Sequence, residues 1–355
     1  MEEKIFTGYL EDNRSEAEKS KDFRHEELDA GAGAVFLTEK EAEKSTKLYK
    51  KLDQKSTSSC VAHSASLALG IDNELEGEGF VDLSRSYVYR QRSNFPYEGM
   101  YYYNVGDICT KTGDCLETTL PTPTQERDIN NVMITNSMIE EGKKYRSASY
   151  IFMTDPTMEQ LKNVANGLHK GILVSIFANR NEWSLEYPEI KTPNLNRNDA
   201  SIHHCVTILP DSVYEKKGKK YVIVQDSAWF GNRNIRHLSE EFVKERLRYA
   251  LYFLNLPNPK PAPKNEAEIS FKYTFTRDLT VGSRGEDVKM LQMALAELGF
   301  FTYPTATGYF GGITRKAVIE FQEFYSNEVL KFFGLTKGTG YVGRTTKAQL
   351  HKLMI

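Results

Sequence analysis

Residues 53–70 read DQKSTSSCVAHSASLALG, a polar, Ser-rich turn that runs into an Ala/Leu-rich segment of helical character, with Cys60 at the junction. A cysteine in the first turn of a helix faces unpaired backbone N–H groups and the positive end of the helix dipole, and both favour thiolate over thiol. Six residues upstream, Gln54 carries an amide of the kind that holds an oxyanion beside such a sulfur. Read alone, Cys60 is a small buried apolar residue on the core face of a helix. What turns the reading towards a nucleophile is a histidine and an acid farther along.

The chain has 355 residues, 40% of them hydrophobic, enough for two domains with cores of their own. Lys plus Arg number 46 against 48 for Asp plus Glu, which gives no basic footprint for nucleic acid. No stretch approaches the roughly 18 apolar residues of a membrane span. Residues 1–23, MEEKIFTGYLEDNRSEAEKSKDF, lack the basic start and apolar core of a secretory signal. Four cysteines, Cys60, Cys109, Cys115 and Cys205, are too few for a disulfide scaffold, and the spacing of Cys109 and Cys115 leaves a bridge and free thiols equally open. Residues 1–52, rich in Glu and Lys, read as a charged arm or wrap belonging to the domain that follows.

Beyond the opening helix, Ser84 caps a segment with Tyr87 and Val88 turned inward, and residues 156–168 have helical spacing that stops at Gly171. Residues 172–177 form an apolar run expected to be a buried strand. The polar residues 179–200, with Trp183 among them, read as a surface loop. His204 then opens another apolar run, 144 positions beyond Cys60 (204 minus 60), and the strand 221–225 ends at Asp226. A Cys, a His and an acid at the ends of regular elements make a set able to generate a thiolate, move a proton and orient the ring. Zinc is the competing use of Cys60, His203, His204 and Cys205, but adjacent ligands suit it poorly.

Gln54, Cys60, Ala62, Ser64 and Ala65, with His204-Cys205-Val206 and Asp226, resemble the papain-type cysteine peptidases. The chain departs from that pattern at Thr57, Val61 and His63, at Asp226 where the family has Asn, and at Trp229, which comes one residue late. The resemblance implies an α+β fold of two lobes, one helical and one β-barrel-like, over about residues 53–256. It implies Cys60 as nucleophile, His204 as general acid and base, Asp226 orienting His204, and Gln54 in the oxyanion hole. It needs no cofactor, and its substrate is a polypeptide. It also implies that the first segment wraps the back of the domain, with no room for a full pro-domain.

The Pro-rich residues 257–268 read as an extended linker. Past it, TGYFGGIT (307–314) recurs as TGYVGRTT (339–346), each a Gly-bearing turn delivering the chain into a helix, so three short helices sharing one core are expected over 269–355. These turns, with Val281-Gly282-Ser283, Gly285, Asp287-Val288, Leu291-Gln292 and Phe321-Gln322, resemble a peptidoglycan-binding domain. That implies affinity for bacterial cell wall and a place at the cell surface. Three functions follow: an endopeptidase tethered to the wall, an acyl transferase or stem-peptide hydrolase using the same residues, and a wall-binding protein whose peptidase domain has decayed.

Overall fold

The computed structural model describes residues 6–19, 25, 34–49, 52–75, 78–228, 233–254, 269–301 and 306–354. The Pro-rich linker and Trp229 lie outside them. The chain forms two compact units, the first made of residues 1–22 and 31–255 and the second of 23–30 and 256–355.

The first unit is built around the helix Cys60–Leu75, buried from Cys60 through Asp72. Its small residues Ala62, Ala65 and Ala68 let neighbours approach on every side, and a β-carbon on Gly70 would lie 2.3 Å from the Val81 carbonyl oxygen. On one face the helix packs with Tyr87, Val88, Met100 and Val105 of a helical half. Ser84 caps the helix Arg85–Arg90 by accepting from the Tyr87 N–H, as its sequence predicts. On the other face Leu67 and Ile71 meet Leu209, Tyr214 and Ile223 of a sheet.

The strands are β1 (Phe6–Thr7), β2 (Tyr9–Leu10), β3 (Leu37–Thr38), β4 (Met100–Tyr101), β5 (Ser149–Thr154), β6 (Ile172–Ala178), β7 (Ile202–Lys216), β8 (Lys219–Gln225), β9 (Ile235–Ser239) and β10 (Leu247–Leu254). The large sheet runs β5-β10-β6-β7-β8-β9, with β1 and β3 joining β7 in parallel, while β2 pairs with β4. β5 and β9 are its ends, so among the described residues the barrel-like half is an open sheet rather than a closed cylinder.

The first segment joins the unit through short strands: β1 lies beside β7 of the sheet and β2 beside β4 of the helical half, with the Gly8 N–H donating to the His203 carbonyl at 3.0 Å and the Met100 N–H to the Gly8 carbonyl at 3.2 Å. One expectation is corrected: 179–200 is not a surface loop throughout. Residues Arg180–Trp183 form a short helix whose Glu182 and Trp183 are fully buried, because Glu182 accepts from Arg246 and from the N–H groups of Lys191 and Thr192, drawing the polar segment inward.

In the second unit the helices Glu286–Glu297, Gly312–Phe324 and Arg344–Lys352 share a core with Leu291, Leu295, Phe310, Phe321 and Leu350 buried, and a short fourth helix, Ser326–Val329, adds to the expected three. Gly308 and Gly340 take φ of 74° and 73°, the left-handed turn conformation their repeat demands. The glutamines Gln292 and Gln322 do the same work in each repeat. Each donates to a Tyr carbonyl (Tyr309, Tyr341) and a Thr hydroxyl (Thr314, Thr346), and accepts from the turn glycine N–H (Gly308, Gly340). Half-buried Tyr309 and exposed Tyr341 stand outside the core.

Candidate active site

Cys60 is the first residue of its helix, and the turn before it is stitched by the Thr57 N–H and hydroxyl, both donating to the Gln54 carbonyl at 3.0 and 2.8 Å. The same turn is tied to the segment after β8: the Gln54 N–H donates to the Ser227 carbonyl at 2.9 Å, and the Ser227 hydroxyl donates to Gln54 Oε1 at 2.8 Å. The two ends of the sequence motif, 173 residues apart, therefore meet.

His204 lies on β7, opposite Ile176 of β6, and Asp226 directly follows β8. The His204 Nε2 is 2.6 Å from Asp226 Oδ1, and both side chains are fully buried. Oδ1 also accepts from the Ala228 N–H at 2.7 Å, and Oδ2 accepts from Trp183 Nε1 at 3.0 Å and Arg236 Nη1 at 2.6 Å. The Trp183 ring stands edge-on to His204, with centroids 6.4 Å apart. His203, one residue earlier, instead meets the Tyr9 ring at 5.6 Å.

The Cys60 sulfur lies at the His204–Cys205 peptide, hydrogen-bonded by backbone of Cys205 and of Val61. It is also capped. A β-carbon built on Gly8 would fall 2.1 Å from Sγ and 3.3 Å from the His203 carbonyl oxygen, so only a glycine fits there. With this strap in place Cys60 is wholly buried, and burial pushes its thiol well above the usual range, aided by nearby Cys205 and Asp226. The helix terminus was expected to favour thiolate, and here desolvation outweighs it.

Gln54 is 1% exposed, its Nε2 donating to the Thr57 carbonyl at 2.8 Å. That commits one of two amide hydrogens. Cys109, Cys115 and Cys205 are buried free thiols. Among the described residues no group of three His, Cys, Asp or Glu is placed to hold a metal, and no helix is long and apolar enough to cross a membrane.

Trp183 and Arg236 are site residues the sequence reading missed. Trp183 sat in a polar stretch with no periodicity, and Arg236 in a short strand where a buried cation has no local signature; the only cue was an acid, Asp226, that needed a partner.

The structure is similar to xylellain, a cysteine protease from Xylella fastidiosa, with TM-score 0.53 and 13% identity over 72% of this chain and 99% of that one. It also matches the bromelain protease from Ananas comosus (TM-score 0.46, 17% identity, 58% of this chain and 93% of that one). A third match is digestive procathepsin L 3 of the Tenebrio molitor larval midgut (0.47, 16%, 59% and 67%). The fold is that of the papain-like cysteine proteases. Residues 284–329 match the family described as "Putative peptidoglycan binding domain". No curated protein sequence matches the chain.

Proposed function

We propose that the first unit is a cysteine peptidase and that the second holds it on bacterial cell wall. The observation that carries the reading is the 2.6 Å hydrogen bond between buried His204 and Asp226, beside a cysteine that starts a helix. That bond occupies Nε2, leaving Nδ1 as the ring atom that exchanges a proton with the sulfur.

In this reading the strap over Cys60 is displaced before a polypeptide binds. His204 takes the thiol proton, and the Cys60 thiolate adds to the peptide carbonyl carbon. The oxyanion is held by the Cys60 backbone N–H and the second amide hydrogen of Gln54. The tetrahedral adduct expels the amine, which leaves with the proton that His204 returns, and a thioester remains. Water then attacks that thioester while His204 removes its proton, releasing the acid and regenerating the thiol. Asp226 keeps the ring aimed throughout.

The match over 284–329 favours a second reading of the substrate, a stem peptide of the wall itself, acted on by hydrolysis or acyl transfer with the same residues. One experiment addresses all three functions. The chain is treated with an epoxide inhibitor, the label is mapped by mass spectrometry, and casein is assayed beside purified muropeptides. Label on Cys60 with cleavage of either substrate supports the peptidase and says which kind. A folded chain that labels nowhere and cleaves neither, as wild type and as Gly8→Leu, is the decayed, wall-binding protein.

A further inference from the structure

We propose that Arg236 is a positioning residue for the His204–Asp226 pair, cancelling the carboxylate's charge so that acid and guanidinium together orient the imidazole as one neutral unit. This rests on the peptidase reading above.

The family resembled by this chain places a neutral amide where Asp226 stands. An aspartate there makes the same hydrogen bond but brings a full negative charge into a fully buried position, which is costly unless paired. Arg236 supplies the pair. It lies on β9 opposite Val224 of β8, is fully buried, and reaches Asp226 Oδ2 at 2.6 Å through Nη1. Its Nε donates to the Trp183 carbonyl at 2.6 Å, and its guanidinium stacks 4.6 Å from the Trp183 ring. Trp183 in turn donates to the same Oδ2. The cation therefore approaches the carboxylate from the side away from His204, so the Oδ1 edge is left to the imidazole and the Ala228 N–H.

The consequence for the reaction is specific. A carboxylate stabilises the imidazolium it faces, and a guanidinium on its far side weakens that stabilisation while leaving the ring's orientation in place. Among the described residues, Cys60 and His63 on the long helix and Cys205 on β7 are ionisable neighbours of the pair, and none of these three is a cation at neutral pH that could replace Arg236.

The test is a double-mutant cycle in the full-length chain, in wild type and in a Gly8→Leu background, reading kcat and KM on a fluorogenic peptide and Cys60 labelling by an epoxide. Arg236→Met is expected to lower kcat at least about tenfold with KM within about twofold, the size of coupling found between contacting charged residues. Asp226→Asn alone strands the buried cation and loses a similar factor. The charge-free double variant Asp226→Asn/Arg236→Met is expected to exceed Asp226→Asn alone at least about fivefold, because it carries a neutral orienting amide with no stranded charge. That comparison holds even if Arg236→Met alone does not fold. A double variant equal to or worse than Asp226→Asn overturns the proposal, since an arginine that only packs is missed whatever stands at 226. Absence of Cys60 labelling in both parents overturns the peptidase reading, and this inference with it; labelling in a parent with no recovery in the double variant overturns this inference alone.

Discussion

Gly8 and Cys60 are in contact, so close that a single methyl on the glycine would lie 2.1 Å from the sulfur. Nothing in the strap can be larger at that point and remain seated. Gly8→Leu is therefore expected to expel the strap: overpacking of this kind costs about 1–3 kcal/mol, which shifts an open–closed equilibrium by about five- to 150-fold. The rate at which an epoxide labels Cys60 should rise by a comparable factor. A Gly8→Leu chain that labels no faster than wild type would show that the strap does not limit access.

In the proposed mechanism Gln54 has a second role besides its ties to the turn, and mutation can separate the two. Gln54→Ala would then remove an oxyanion donor and is expected to lower kcat by about a hundredfold, roughly 3 kcal/mol, with KM little changed. Ser227→Ala removes only the 2.8 Å tie to Gln54 Oε1 and should cost stability of about 1 kcal/mol with a much smaller effect on turnover. Equal losses of kcat in the two variants would mean that Gln54 serves the turn and not the reaction.

Acid should unfold the first unit in two overlapping stages. Burial pulls the His63 imidazole down to about 3, and neighbouring Arg85 pulls the same way. The unfolded chain therefore binds a proton below about 6.5 that the fold refuses, and stability falls as pH drops from there towards 3, by up to about 1.4 kcal/mol per unit. His203 and His237, also lowered by burial, add to the slope. Glu182 is pulled up by burial, but hydrogen bonds from Arg246 and the N–H groups of Asn179, Lys191 and Thr192 outweigh it and hold the carboxyl at about 2. Its contribution is complete above the unfolded value of about 4.5 and is lost as pH falls towards 2. Urea midpoints measured from pH 7 to pH 4 should decline throughout, and His63→Gln should flatten the upper part. An unchanged slope in that variant would remove His63 from the account.

The buried amides of the second unit predict a matched pair of losses. Gln292→Leu and Gln322→Leu each strand a turn glycine N–H and a tyrosine carbonyl, and each should destabilise that unit by about 2–3 kcal/mol. Calorimetry that showed one substitution silent would break the equivalence of the repeats.

Much of this arrangement was legible in the sequence where local rules govern. Cys60 was placed at a helix start by the change from Ser-rich turn to Ala/Leu run, and Asp226 at a strand end by the apolar residues before it. The Thr-Gly-Tyr repeats announced their turns because positive φ selects glycine. What was hidden depends on distant partners. Gly8 lies in a short segment with no periodicity, and its partner on β7 is 195 residues away (203 minus 8). The inward turn of Trp183 depends on Glu182 meeting Arg246, 64 residues on. Arg236 is explained only by the carboxylate it faces, a relation that neither short strand displays.

His204 and Asp226 hang from neighbouring strands of one hairpin, whereas Cys60 belongs to the helix across from them. The ties between the two, from Gln54 to Ser227 and from the Cys205 backbone to the sulfur, fasten helix to hairpin, so a substitution that loosens either element should be felt at both.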